Sequence, residues 1–260
     1  MSGDTDPGSL AAQERQTRID LAACYRLHAD LGWTDLIYTH ISARVPGAAH
    51  HFLINPFGLG FDEVTASSLL KVDEHGAKVE PSPHPVHRAG FVIHSAVHMA
   101  RPDVGCVIHA HTRAGMALSA LDGGLLPLTQ HAMMFHGRVA YHESEGLAND
   151  TQERERLAAD LGDKPVMILR NHGTLVAGRT VGQAFSMMWH LEQAMQAQLD
   201  ALATGQPLHL PPAGIAQRIA AAAFTEPGKV RADGTVSPLG HQEWPALLRR
   251  LDRLDPSYRD

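Results

Sequence analysis

Short apolar runs of β type alternate along this chain with helical patterns, and that alternation leaves few architectures open. Residues 104–108 and 165–169 read as buried strands, and the runs 36–38 and 51–54 read as strands broken by turn residues. Residues 125–128 add a further strand after a Gly-Gly turn. Apolar spacing predicts helices over 13–31, 89–100, 112–121, 153–161 and 180–203. The last has the strongest signals: Thr180 and Gln183 form a capping box, Ala184, Met188, Leu191, Met195 and Leu199 make one stripe, and Gly205 closes it. Three prolines in Pro81-Ser-Pro-His-Pro85 bar regular structure at that point. No internal repeat or clear linker divides these pieces. The pattern predicts a loose arm over residues 1–18, then a single layered α/β domain over 19–260 that ends in a helical C-terminal extension.

Composition narrows the function classes. With 44% hydrophobic residues the chain can bury a sizeable core. A net charge of −6 argues against a nucleic-acid partner, which calls for a basic footprint. No stretch approaches the length of apolar sequence that spans a membrane. The opening residues lack the basic and apolar regions of a secretory signal, and Cys24 and Cys106 are too few for a disulfide framework. These features predict a cytoplasmic protein whose partner is a small molecule.

Histidine is the residue in excess. There are 18, and fourteen of them fall between His28 and His142. His109-Ala110-His111 follows directly on a β run. On an extended segment residues i and i+2 share a face about 6.6 Å apart, so two imidazoles can close on one divalent ion. A pair of strand-end histidines with unrelated partners is the competing reading. His172, in Arg170-Asn-His-Gly173 at the end of another buried run, is the natural third ligand. Such a three-histidine site leaves a position open for a substrate oxygen.

The other candidates are weaker. His94 and His98 are spaced i, i+4 on one helix, but Ser95 excludes the HExxH pattern, so helix packing or a subunit contact is expected. His40, His131, His136 and His142 are each able to act as acid or base, and of these His40 and His131 are assigned proton transfer. Arg88 and Arg170 suit a carboxylate, or equally a helix end. Cys106 and the methionine pairs read as core. No nucleophile elbow, phosphate loop or dinucleotide fingerprint is present.

Four stretches, HFLINPFGLGFDEVTASSLLKVD, AGFVIHSAVHMARPDVGCVIHAHTRAG, LLPLTQHAMMFHGRVAYHESEG and VMILRNHGTLVAGRTVGQAF, resemble the class II aldolase/adducin family over about residues 51–203. The likeness leans towards its adducin-head-like bacterial branch. The resemblance implies a three-layer α/β/α fold around a mixed sheet and a homotetramer. It also implies a metal on His109, His111 and His172, usually zinc, with manganese, cobalt or iron in some members. One departure matters more than the likeness. Where sugar-phosphate aldolases of the family carry Ser-Ser-Glu, with the Glu as acid/base, this chain reads Arg88-Ala89-Gly90. The family's phosphate elements correspond to Thr39-His40 and Phe57-Gly58 here. The expectation is therefore a metal-dependent lyase, by retro-aldol cleavage or decarboxylation, on an unphosphorylated hydroxy- or oxo-acid. Two alternatives stand beside it. One is an iron(II)-dependent oxidative decarboxylase of an aryl oxo-acid, its iron held by three histidines or with a carboxylate such as Glu143 or Glu145. The other is a non-catalytic adducin-like assembly module.

Overall fold

The computed structural model describes residues 8–48, 50–146, 153–212, 214–224 and 239–260. Seven strands form one sheet: β1 (His40–Arg44), β2 (Phe52–Ile54), β3 (Leu70–Val72), β4 (Cys106–Ala110), β5 (Val139–His142), β6 (Val166–Leu169) and β7 (Gly173–Gly178). Their order is β3-β2-β1-β4-β7-β6-β5, antiparallel throughout except for the parallel β5–β6 pair. The α-helices among the described residues are α1 (Leu10–Asp30), α2 (Arg88–Ala100), α3 (Arg113–Ser119), α4 (Gln130–Met134), α5 (Glu153–Leu161), α6 (Val181–Ala203), α7 (Ile215–Ala223) and α8 (Glu243–Leu254).

Period-two alternation sends the two faces of the sheet to different partners. Cys106, Ile108 and Ala110 of β4 join Leu21 and Tyr25 of α1, Leu118 of α3 and Phe185 of α6 in one apolar cluster. Val107 of β4, with Leu175 and Ala177 of β7, joins Ile93 and Val97 of α2 and Leu157 of α5 in another. The sheet is thus the middle of three layers, the expected α/β/α fold. The C-terminal extension is part of the first layer: Trp244 and Leu251 of α8 enter its cluster, and Trp244 Nε1 donates to Asp20 of α1 at 3.0 Å.

The structure corrects three expectations. Helix α1 starts at Leu10 because the Ser9 side chain caps it, accepting from Ala12 N–H at 3.2 Å. Residues 10–18 are therefore helix rather than loose arm, and residues 1–7 lie outside the described residues. The run 36–38 is a turn: Tyr38 N–H bonds Asp35 C=O at 2.8 Å, and Leu36 takes a φ of 52° with 78% of its surface exposed. An apolar run with nothing to pack against gains little from strand geometry. Residues 125–128 pair with no strand because side chains take their backbone donors. Leu125 N–H goes to the Tyr141 hydroxyl at 3.0 Å and Leu126 N–H to Gln198 Oε1 at 2.7 Å. Four strands outside the expectation, β1, β3, β5 and β7, complete the sheet. β7 is buried along its whole length and so shows no alternation to read.

Half of the expected capping box forms on α6: Thr180 Oγ1 accepts from Gln183 N–H at 3.1 Å, whereas Gln183 Oε1 accepts from Arg179 N–H at 2.7 Å in place of Thr180 N–H. Thr180→Ala is expected to lower stability by about 1 kcal/mol. Urea unfolding would show this as a lower midpoint at unchanged slope, and an unchanged midpoint would mean the cap contributes nothing.

Candidate metal centre

The same alternation that splits the core aims the histidines. On β1, Ile41 and Ala43 enter the cluster under α1 and α6, so His40 and Ser42 point the other way, under α2. On β4, Val107 packs towards α2, and His109, two residues on, shares its face. The backbone register sets His40 directly opposite His109. The layer between the sheet and α2 is therefore rich in imidazole. Ser42 Oγ lies 2.7 Å from His94 Nδ1 and 2.8 Å from His98 Nε2, and Phe52 stacks on His98 at 4.6 Å. His94 and His98 are buried packing residues, the first of the two roles foreseen for them.

Beyond β4 the chain carries His111 into the segment before α3, and His172 sits in the turn joining β6 to β7. The rings of His109, His111 and His172 lie 4.7–4.8 Å apart, centroid to centroid, and one ligand nitrogen from each falls within 4.8 Å of the others. Gly173 permits this approach, since a Cβ there would meet the Ala110 carbonyl oxygen at 2.5 Å. Among the described residues this is the one group of three ligand-type side chains so arranged.

Hydrogen bonds fix which nitrogens face inward. His109 Nδ1 is 3.0 Å from the Thr174 carbonyl oxygen, and His111 Nδ1 is 2.9 Å from Asp35 Oδ2. A carbonyl and a carboxylate accept only, so each Nδ1 donates outward and each Nε2 is the nitrogen turned towards the other rings. Yet the two Nε2 atoms stand 3.0 Å apart. A shared cation, whether a proton or a metal ion, accounts for that approach. Two nitrogens sharing a tetrahedral zinc at 2.0–2.1 Å stand about 3.3 Å apart, close to what is seen. Burial and the neighbouring histidines hold His109 well below its usual range, and burial with His111 nearby lowers His172 to about 4. Both are thus neutral, as ligands must be. The donor set fits a divalent ion.

Backbone strain gathers around the same place. The non-glycine residues with positive φ among those described are Leu36 (52°), Thr39 (69°) and Asn171 (55°). Each adjoins a residue of the site: Asp35, His40 and His172. Strain held at such points by the surrounding structure is a common mark of function.

His40, the first residue expected to move protons, lies beside the triad, with His94, His87 and His111 among its electrostatic neighbours. His131, the second, is elsewhere in this chain. Its ring contacts are Trp189 at 5.6 Å and His190 at 4.9 Å, both on α6. His136 is exposed, and His142 Nδ1 bonds Asp160 at 2.7 Å. Arg170 spends its guanidinium on the Leu121 and Asp122 carbonyls and lies over the Tyr141 ring. Arg88 opens α2 with its side chain outside the described residues. Cys106 is core. Asp35 and His87 were not foreseen. Both are reached only through folding, since Asp35 is 76 residues from the histidine it holds, and no local motif marks them.

Asp35 holds the outer nitrogen of His111, so its loss is expected to act on the metal. Asp35→Ala should weaken divalent-ion affinity about 10–100-fold, as removal of an orienting carboxylate does. Competition against a chromogenic chelator would read this, and an affinity equal to wild type would deny Asp35 that role.

Comparison with known proteins agrees with the geometry. The family described as Class II Aldolase and Adducin N-terminal domain matches residues 19–199. A solved aldolase II superfamily protein from Pseudomonas syringae is 50% identical, covers 95% of this chain and 96% of its own, and superposes with a TM-score of 0.87. An L-fuculose 1-phosphate aldolase from Glaciozyma antarctica PI12 is 30% identical over 97% of this chain and 95% of its own, with a TM-score of 0.84. Alpha-adducin of Rattus norvegicus is 43% identical over 93% of this chain, which spans 34% of that longer protein.

Proposed function

The chain belongs to the class II aldolase and adducin family, and from that premise we propose that it is a metal-dependent lyase acting on an unphosphorylated hydroxy- or oxo-acid. The observation that carries this reading is the convergence of His109, His111 and His172, with the Nε2 atoms of the first two 3.0 Å apart. Retro-aldol cleavage and decarboxylation both break a C–C bond and leave its electron pair as an enolate. A divalent ion held by His109, His111 and His172 would supply Lewis-acid stabilisation of negative charge on the substrate's carbonyl oxygen. Around it, Asp35 and the Thr174 carbonyl orient the ligands. His40 takes the hydroxyl proton in a retro-aldol step and returns one to the enolate carbon.

The choice of an unphosphorylated substrate rests on Thr39-His40 and Phe57-Gly58, which stand where the family's phosphate elements lie, and the choice of His40 as proton carrier rests on position 90. A Cβ on Gly90 would come within 2.3 Å of the His40 ring, so the site that carries Glu in the sugar-phosphate aldolases is filled here by imidazole. Three histidines, with Asp35 on an outer nitrogen instead of among the ligands, favour zinc over the iron-oxygenase alternative. We also read the protein as a cytoplasmic homotetramer. Its two cysteines are buried and unpaired, and exposed apolar side chains such as Leu36 and Trp189 would be covered by assembly.

The 43% identity to alpha-adducin supports the second reading, an assembly module without catalysis. One experiment separates them. Protein loaded with one equivalent of zinc is offered a panel of hydroxy- and oxo-acids, with and without phosphate, and released aldehyde and carbon dioxide are measured. Cleavage confined to unphosphorylated acids supports the lyase. No cleavage of any member, with zinc still bound, overturns it in favour of the module.

A further inference from the structure

Resting on the reading of His40 as the proton carrier, the neighbours of His40 say which of its two nitrogens does the work. His87 is the N-cap of α2, and its Nδ1 accepts from the Gly90 backbone N–H at 3.2 Å. A peptide N–H only donates, so His87 Nδ1 is an acceptor. The same Nδ1 lies 2.9 Å from His40 Nε2, with the two rings stacked at 4.7 Å. His40 must therefore donate through Nε2. That leaves its Nδ1 without a proton, and this atom is buried with no hydrogen-bond partner. Nδ1 is thus the His40 nitrogen with a lone pair free to accept a proton.

The arrangement is enforced from both sides. The missing side chain at Gly90 leaves the space that the His40 ring occupies, since a Cβ there would fall 2.3 Å from its Nδ1, Cε1 and Nε2. His87 is held in turn by Phe57, 4.4 Å away, and by Tyr38, 6.5 Å away.

We propose that His87 is a positioning residue which fixes the Nε2–H form of His40, making His40 Nδ1 the atom that receives the substrate proton. In a retro-aldol step the substrate O–H proton passes to His40 Nδ1, the O–H pair becomes the new C=O bond, and the C–C pair leaves as the enolate. The imidazolium so formed keeps its Nε2–H on His87 Nδ1. Protonation of the enolate carbon from Nδ1 then restores the starting form, and no other reactant is required.

Capping and tautomer control can be tested apart. In Asn, Oδ1 stands the same number of bonds from the backbone as Nδ1 does in His, so His87→Asn keeps an acceptor for both Gly90 N–H and His40 Nε2–H. In His87→Ser the hydroxyl still caps the helix but is too short to reach His40. The readout is long-range 1H–15N correlation of the histidine rings, with and without zinc, which needs no substrate. Wild type and His87→Asn are expected to show His40 protonated at Nε2 alone, and His87→Ser is expected to lose that preference and populate Nδ1–H. A wild-type His40 protonated at Nδ1, or an unchanged His40 in His87→Ser, overturns the proposal. A lyase panel without activity would instead overturn the reading it rests on, and leave the tautomer result standing. Once a substrate is in hand, His87→Ser is expected to lower kcat at least 10-fold at unchanged zinc content, with His87→Asn near wild type; equal kcat in the two variants also overturns it.

Discussion

Replacing His109 and His111 together by alanine is expected to reduce bound divalent metal from about one ion per chain to none, and to abolish any C–C cleavage. Loss of one imidazole would still leave two ligands; loss of both leaves His172 alone, which cannot hold a divalent ion at low concentration. The effect on stability is the less obvious part. In the metal-free protein the double variant removes the contact between the two rings, their hydrogen bonds to Thr174 and Asp35 and some packing, so a loss of stability is expected even without metal. With metal the two proteins diverge further. An ion at 1,000 times its dissociation constant stabilises the folded wild type by about 4 kcal/mol, and the variant not at all. Mass spectrometry for metal and thermal unfolding with zinc or with a chelator measure both effects. A variant that retains metal would remove the triad from consideration. A wild type that takes up none would favour the assembly module.

Acid is expected to unfold the metal-free protein well above the range where carboxylates are protonated. His28 is fully buried against Trp33 and Phe185, and burial lowers it from 6.5 to about 4. Burial, aided by the Arg44 charge, lowers His98 to about 3. In the unfolded chain both bind a proton near 6.5. Between that value and their folded values the unfolded state holds more protons, so stability falls as pH falls. Each histidine contributes a slope of up to about 1.4 kcal/mol per pH unit in that window. At pH 5 the two together cost about 4 kcal/mol, a large share of a typical domain's 5–15 kcal/mol. His40 and His94, also pushed well down by burial, steepen the fall. Urea midpoints from pH 7.5 to 4.5 with chelator present test this, and His28→Phe should flatten the curve by about one proton. A flat profile down to pH 5 would mean these rings are solvated or paired.

Much of this could be read in the sequence, for physical reasons. The grouping of the three histidines was legible because His109 lies at the end of one strand with His111 two residues on, and His172 follows the end of another. The Thr180 cap of α6 was legible because caps are local. The turn at residues 35–39 was not, since Leu36-Ile37-Tyr38 carries strand-type residues and only tertiary structure bends it back to bring Asp35 to His111. Residues 125–128 misled for a similar reason: the Gln198 and Tyr141 side chains that take their backbone donors lie 72 and 16 residues away. His131 drew notice by composition alone, and composition does not say which ring a residue will face.

The close approach of Gly90 to the His40 ring bears on how such a chain could have arisen. A side chain at 90 and an imidazole at 40 compete for one volume, so neither position can change first without harm. A glutamate introduced at 90 would collide with the ring, while loss of the ring alone would leave a void beneath α2. Crossing from a carboxylate-bearing ancestor to this chain, or back, therefore requires the two positions to change as a pair. Among descendants they are expected to co-vary: glycine at 90 with histidine at 40, and a bulkier residue at 90 only where 40 has become small.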